Sequence, residues 1–272
     1  MSFMSVDLDK CNKDGICVDE CPMKIIHMAD GVPILLKGGD KMCIRCGHCV
    51  AVCPKAAMSI EGISPEDCLA VDKKLLTDPV AGEQFLRSRR SIRTYKDKPV
   101  DRDVLEKIIG IASHAPSGHN SQSVKWQVIY DQAEVKRYSG MVIDWMRYMI
   151  KEQPDFAKML HLDLVVAGWE FGMDTVSRGA QHLILANGAK KDIMVKDSCT
   201  IAMTHLELAL PSFGLGGCWN GFFNTAAIYW PPLQEALGLG SDTVNHCVMM
   251  VGFPKYKYHR MPPRNKPVIE WK

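Results

Sequence analysis

The feature that most restricts this chain is Cys43-Ile-Arg-Cys46-Gly-His-Cys49-Val-Ala-Val-Cys53-Pro54, four cysteines separated by two, two and three residues and closed by a proline. Structural zinc sites set two Cys-x2-Cys pairs farther apart. Here three thiolates wrap one turn of chain around the corners of a cubane iron–sulfur cluster, and the fourth, just before the proline, faces a different cluster. Gly47 suits a backbone crowded against inorganic sulfide.

An earlier stretch, Cys11-Asn-Lys-Asp14-Gly-Ile-Cys17-Val-Asp-Glu-Cys21-Pro22, repeats the pattern. Aligned on the Cys-Pro ends, Cys21 matches Cys53, Cys17 matches Cys49 and Cys11 matches Cys43, while Asp14 stands where the second half has Cys46. The two halves resemble a two-cluster bacterial ferredoxin in which one cysteine has become aspartate. That resemblance implies crossed ligation: Cys11, Asp14, Cys17 and Cys53 around one [4Fe-4S] cluster, and Cys43, Cys46, Cys49 and Cys21 around the other. A carboxylate is a harder and weaker ligand than thiolate for iron among sulfides, so the cluster at Asp14 is the one that can lose an iron and stand as [3Fe-4S]. The competing reading is that Asp14 only caps a turn, a common place for aspartate. The apolar content of this region is low, and its folding is expected to depend on the clusters.

Seven of the eleven cysteines fall within residues 11–53. The N-terminus has no basic start followed by an apolar run, which argues against a secretory signal, and no window is long and apolar enough to span a membrane. Together with the cysteine spacing, this points to metal in a reducing cytoplasm rather than disulfides. A formal net charge of +2 gives no case for nucleic acid or an anionic membrane surface. Of the remaining cysteines, Cys68, Cys199, Cys218 and Cys247, three stand in apolar surroundings and read as small core residues.

After residue 62 the texture changes. Asp78-Pro79 is a helix start, with Phe85 and Leu86 expected on its inner face, running into Arg87-Ser-Arg89-Arg90-Ser91-Ile92-Arg93. Residues 101–114 form an amphipathic helix and lead through Ala115-Pro116-Ser117-Gly-His-Asn120-Ser-Gln122 into a strand over 124–130. Residues 197–213 are expected to be a buried apolar helix, with Pro211 kinking it or marking its last turn, and are followed by Gly214-Leu-Gly-Gly217-Cys-Trp219-Asn220-Gly221. Residues 246–253 form an apolar strand ending at Pro254, and Arg260 and Arg264 lie beyond it. The aromatic and methionine-rich stretch 141–180 reads as helical core, or alternatively as a lid.

In this order the arginine–serine opening, the Ala-Pro-Ser-x-x-Asn-x-Gln loop, the glycine–tryptophan segment and the final Gly-Phe-Pro resemble the nitroreductase family of flavoproteins. The resemblance implies an FMN site in which Arg89, Arg90, Ser91 and Arg93 meet the phosphate, as bidentate guanidinium donors can. Pro116, Ser117, Asn120 and Gln122 would lie against the ring and ribityl chain, as would the backbone of Gly217, Trp219, Asn220 and Gly221. Arg264, or else Arg260, would add a second phosphate contact. No side-chain acid or base is assigned, because the cofactor carries the chemistry.

The expected fold is α+β: a ferredoxin-like domain over 1–62, a linker over 63–82 and a nitroreductase-like FMN domain over 83–272. The resemblance implies a homodimer with FMN sites built from both subunits. The expected activity is reduction of a small organic acceptor (nitroaromatic, quinone or activated alkene). Electrons would come through the iron–sulfur clusters from reduced ferredoxin or flavodoxin, or from NAD(P)H. Rival readings are an electron-transfer or redox-sensing protein without turnover, a dehalogenase or flavin-cleaving member of the same superfamily, and an iron–sulfur module fused to a binding scaffold.

Overall fold

In the computed structural model residues 2–272 are described, and all eleven cysteines are free thiols. The chain divides into two compact units: residues up to Thr77 together with His119–Ser121, and Asp78–Gly118 together with Gln122–Lys272. No helix among the described residues is long and apolar enough to cross a membrane.

The first unit runs β1 (Met4–Val6), α1 (Ile16–Glu20), β2 (Ile26–Ala29), β3 (Val32–Leu35), α2 (Gly39–Met42), α3 (His48–Ala51) and β4 (Met58–Ile60). β1 pairs antiparallel with β4, and β2 with β3. The β2–β3 hairpin turns on Asp30-Gly31, both at positive φ, which matches the twist of the strands it joins. The internal repeat read from the cysteines recurs in the backbone. Lys13 and Arg45, Gly15 and Gly47, and Lys24 and Ala56 all have positive φ at matching positions of the two halves. Gly15 and Gly47 open α1 and α3 in left-handed geometry, at φ of 74° and 72°. The core is small: Ile25, Ile26, Val50, Met58 and Ile60, with the cluster-motif residues Cys17, Cys21 and Cys49.

The second unit begins with α4 (Pro79–Ser88), capped by Asp78, whose carboxylate accepts from the Val80 and Ala81 amides. Contrary to the sequence reading, Phe85 and Leu86 do not face inward. They are 41% and 58% exposed, and no residue of α4 is buried. A short amphipathic pattern marks a helix, and nothing in this unit covers that side of it.

Next come α5 (Arg102–Ala112), β5 (Lys125–Ile129), α6 (Gln132–Glu152), α7 (Pro154–Met159), α8 (Leu162–Glu170), β6 (His182–Ala189) and α9 (Val195–Ala209). A 3-10 turn over Leu210–Phe213, which contains Pro211, follows α9, and β7 (Gly216–Trp219), α10 (Gly221–Tyr229), α11 (Pro231–Ala236) and β8 (Thr243–Gly252) complete the unit. The sheet order is β5-β6-β8-β7, antiparallel throughout. Alternation along β6 and β8 divides the core in two. Leu183, Leu185, Val248 and Met250 pack with α6, α8 and α10, whereas Ile184, Ala186, Met249 and Val251 pack with α5 and α9. Residues 141–180 are mainly helical, with Trp145 and Met146 fully in the core. α9 is not buried all round, since Ile201 is 38% exposed.

His182 joins two segments at the start of β6. The Val100 amide donates to its Nε2 at 2.9 Å and its Nδ1 donates to the Tyr130 carbonyl at 2.7 Å, an arrangement that requires the neutral ring. Burial holds its pKa below the ordinary histidine value. The unfolded chain therefore binds the proton more readily, and the stabilisation, complete above about pH 6.5, is lost as pH falls below it. The unfolding midpoint should drop between about pH 7 and pH 5.5, and less steeply in His182→Asn; equal slopes in denaturation curves would contradict this role.

Candidate functional site

The seven cysteines within residues 11–53 line two separate cavities. Cys21, Cys43, Cys46 and Cys49 border one, walled by Phe3, Ile25 and Ile60. Cys11, Asp14, Cys17 and Cys53 border another, beside Val6 and Met58. In each set a cysteine preceding a proline comes from the opposite half of the repeat. The two sets divide the motif residues between two sites in the crossed pattern that the cysteine repeat implies. That suits a multi-iron cluster better than zinc. Backbone amides already address the sulfurs, Arg45 to Cys43 at 3.4 Å and Ala57 to Cys53 at 3.3 Å. Burial, reinforced by Cys46, Cys21 and Cys43, pushes the Cys49 thiol up to about 11, and burial also raises Cys17. Thiolates here call for the positive charge that iron would bring. Asp14 Oδ1 accepts from the Ile16 amide at 3.1 Å, so the carboxylate caps its turn and also lines the cavity.

In the second unit the arginine–serine segment lies beside β7, where the Ile92 amide donates to the Gly217 carbonyl at 2.8 Å. Tyr95 anchors it from below, its buried hydroxyl donating to the Ile92 carbonyl at 2.6 Å. Arg90 donates through Nη1 to the Arg89 carbonyl, but its Nε is buried without a partner. A buried guanidinium donor left open is what an anionic cofactor group would satisfy. Arg89 is already engaged: its Nη1 lies 2.8 Å from Glu207 Oε1, and Glu207 Oε2 accepts from Trp219 Nε1 at 3.0 Å. Glu207 sits on α9 with a side chain only 7% exposed, and it ties the arginine segment to the glycine–tryptophan strand. The sequence reading missed it, although it is the one carboxylate from Thr200 to Phe213.

The glycines serve packing within the chain. A Cβ on Gly216 would stand 2.3 Å from Ile92, and one on Gly217 would stand 2.7 Å from Leu210. A Cβ on Gly221 would meet nothing within 4 Å, and the residue opens onto a cavity of about 330 Å³ that it shares with Arg93, Trp219 and Asn220. Pro116, Ser117 and Gln122 border a different cavity of about 130 Å³, and the Gln122 amide donates to Ser117 Oγ at 3.0 Å. Their loop is strained, with His119, Asn120 and Gln122 all at positive φ. Asn120 belongs to the first unit, where its amide donates to the Ile44 and Arg45 carbonyls. Arg260 and Arg264 lie in the exposed segment after Tyr258 and make no ion pair among the described residues. One chain by itself thus places the expected flavin contacts around two cavities.

The nitroreductase family profile matches residues 86–253, and a 4Fe-4S dicluster domain profile matches residues 3–54. A protein of Archaeoglobus fulgidus named as an NADH dehydrogenase/NAD(P)H nitroreductase is 25% identical over 176 residues, 63% of this chain and 84% of that one. A protein of Hydrogenibacillus schlegelii named Ferredoxin 7Fe is 38% identical over 55 residues, 20% of this chain and 67% of that one. Among solved structures, the FMN-bound nitroreductase of Bacteroides fragilis superposes with a TM-score of 0.58 at 18% identity, covering 71% of this chain and 100% of that chain. Iodotyrosine deiodinase bound to FMN and 3-iodo-L-tyrosine gives 0.54 at 17% identity, covering 70% and 97%. With the four-stranded sheet, the arginine–serine segment against β7 and the two cysteine-lined cavities in place, the chain belongs to the nitroreductase family and carries a 4Fe-4S ferredoxin domain at its N-terminal end.

Proposed function

We propose that the protein is an FMN-dependent oxidoreductase. It reduces a small organic acceptor with electrons delivered by its iron–sulfur domain from a reduced ferredoxin, a flavodoxin or NAD(P)H. The observation that carries the reading is the pairing, in one chain, of two crossed cysteine cavities with a nitroreductase fold whose arginine segment holds an open buried donor at Arg90. The clusters supply one-electron transfer and FMN supplies both one- and two-electron transfer.

The chain's own residues bind and orient. Arg90 and Arg93 offer charge to the FMN phosphate, Ser91 adds a hydroxyl, and Arg89 is held in place by Glu207. The Trp219-Asn220-Gly221 wall receives the ring. The cavity of Pro116, Ser117 and Gln122 belongs to the partner subunit's half of the site, so a homodimer brings the two halves together, and the cytoplasm is its setting. Anaerobic stopped-flow spectroscopy tests this with reduced ferredoxin, NADH and NADPH as donors and nitroaromatics, quinones and activated alkenes as oxidants. Flavin reduction by at least one donor, followed by acceptor-dependent reoxidation, is expected. Reduction without reoxidation by any acceptor would leave a pure electron carrier.

The Asp14 cavity takes the labile cluster, which gives a seven-iron state like the one named for the Hydrogenibacillus relative. Mild oxidation should release one iron per chain, and ferrous iron under reducing conditions should restore it. Asp14→Cys should suppress the conversion. An oxidised three-iron signal of equal size in both proteins by electron paramagnetic resonance would show that Asp14 only caps its turn.

A further inference from the structure

The cavity beside Trp219, Asn220 and Gly221 carries a second cation that the cofactor reading leaves unused. Arg178 lines it together with Arg93, Thr175 and Thr225, and its wall includes no carboxylate. Arg178 has no ion-pair partner among the described residues, nor does Arg93 on the same wall. Both charges bear on one buried group: burial drives the Tyr95 hydroxyl upward, and the two guanidiniums act against that.

The loop that presents Arg178 is built rather than loose. Asp174 accepts from the amides of Val176, Ser177 and Gly179 at 3.2, 2.8 and 2.9 Å. The Ser177 hydroxyl lies 2.7 Å from Ser139 Oγ and accepts from Asn220 Nδ2 at 3.4 Å, which fastens the loop to the wall next to Gly221. Arg178 holds φ of 55°, a left-handed conformation that glycine would adopt without strain. Apolar side chains complete the cavity, Leu160, Val176, Phe222 and Met250 among them. A planar apolar body with one negative end fits this lining.

We propose that Arg178 recognises an anionic group on the electron acceptor, and that the preferred acceptors are aromatic or unsaturated compounds bearing a carboxylate. This rests on the reading of the Trp219–Gly221 wall as the flavin side of the site. A guanidinium–carboxylate contact at a partly open site favours the anion by about tenfold.

Isothermal titration of FMN-saturated protein with 4-nitrobenzoate and with 4-nitrobenzyl alcohol compares two probes of similar shape that differ in charge. The native protein should bind the benzoate about tenfold more tightly. Arg178→Gln should bring the ratio close to one, and Arg178→Lys should recover part of it. Equal affinities in the native protein, or a preference that survives in Arg178→Gln, would overturn the proposal. So would a loss of FMN affinity in Arg178→Gln in place of the lost preference, because it would give Arg178 to the cofactor phosphate. The measurement needs no turnover. An anion preference without reduction of any acceptor would defeat the oxidoreductase reading alone, and reduction without the preference would defeat this one alone.

Discussion

Arg89→Ala should destabilise the second unit by about 2 kcal/mol, which corresponds to a drop of roughly 4–8 °C in its unfolding midpoint. The cause is less the lost ion pair than what remains. Glu207, 7% exposed, would keep its charge with only the Trp219 indole as donor. Arg89 itself is 30% exposed, which places the effect below that of a fully buried pair. Adding Glu207→Gln should recover most of the stability, since the amide still accepts from the indole and carries no charge. FMN binding is expected to behave differently: Arg89→Ala should weaken it by about ten- to hundredfold, and the second substitution should not restore it. Paired denaturation and FMN titration curves over the double-mutant cycle separate the two effects. Unchanged FMN affinity in Arg89→Ala would leave Arg89 as a partner of Glu207 only.

Removal of iron should unfold the first unit and leave the second intact. Its two sheets have two strands each, its helices have at most five residues, and three of its eight core residues are the cysteines Cys17, Cys21 and Cys49. A two-stranded sheet of this size is marginal in water. The clusters therefore supply cross-links that the apolar side chains cannot replace. The second unit has its own core on both faces of a four-stranded sheet. Hydrogen exchange of iron-loaded and iron-stripped protein, handled anaerobically, should show protection lost in residues up to about 60 and retained in β5 to β8. Retained protection at Ile25, Val50 and Ile60 after complete iron removal would contradict this.

The cysteine spacing made the first unit legible because ligand geometry leaves little freedom. The half-motif alignment reappears as matched left-handed residues, which spacing alone could not show. β6 was illegible for the opposite reason. Its residues His182–Gly188 are buried on both faces, so it lacks the alternation that marks a half-exposed strand. The inward reading of Phe85 and Leu86 failed because a helical pattern gives a face but not what covers it. Gly216 and Gly217 stood out as a motif, but the space beside them is filled by Ile92 and Leu210. Glu207 was overlooked because a lone carboxylate in an apolar helix has no motif, and its meaning comes from Arg89, distant in sequence.

The central claim is that one chain joins iron–sulfur electron delivery to a flavin site. Its most direct test is an anaerobic single-turnover experiment with reduced ferredoxin, comparing native protein with Cys49→Ser in FMN-loaded form. The native flavin should be reduced and then reoxidised by an added nitroaromatic acceptor, whereas in Cys49→Ser reduction by ferredoxin should slow by orders of magnitude. Equal rates of flavin reduction in the two proteins would contradict the account, because electrons would then reach the flavin without the clusters.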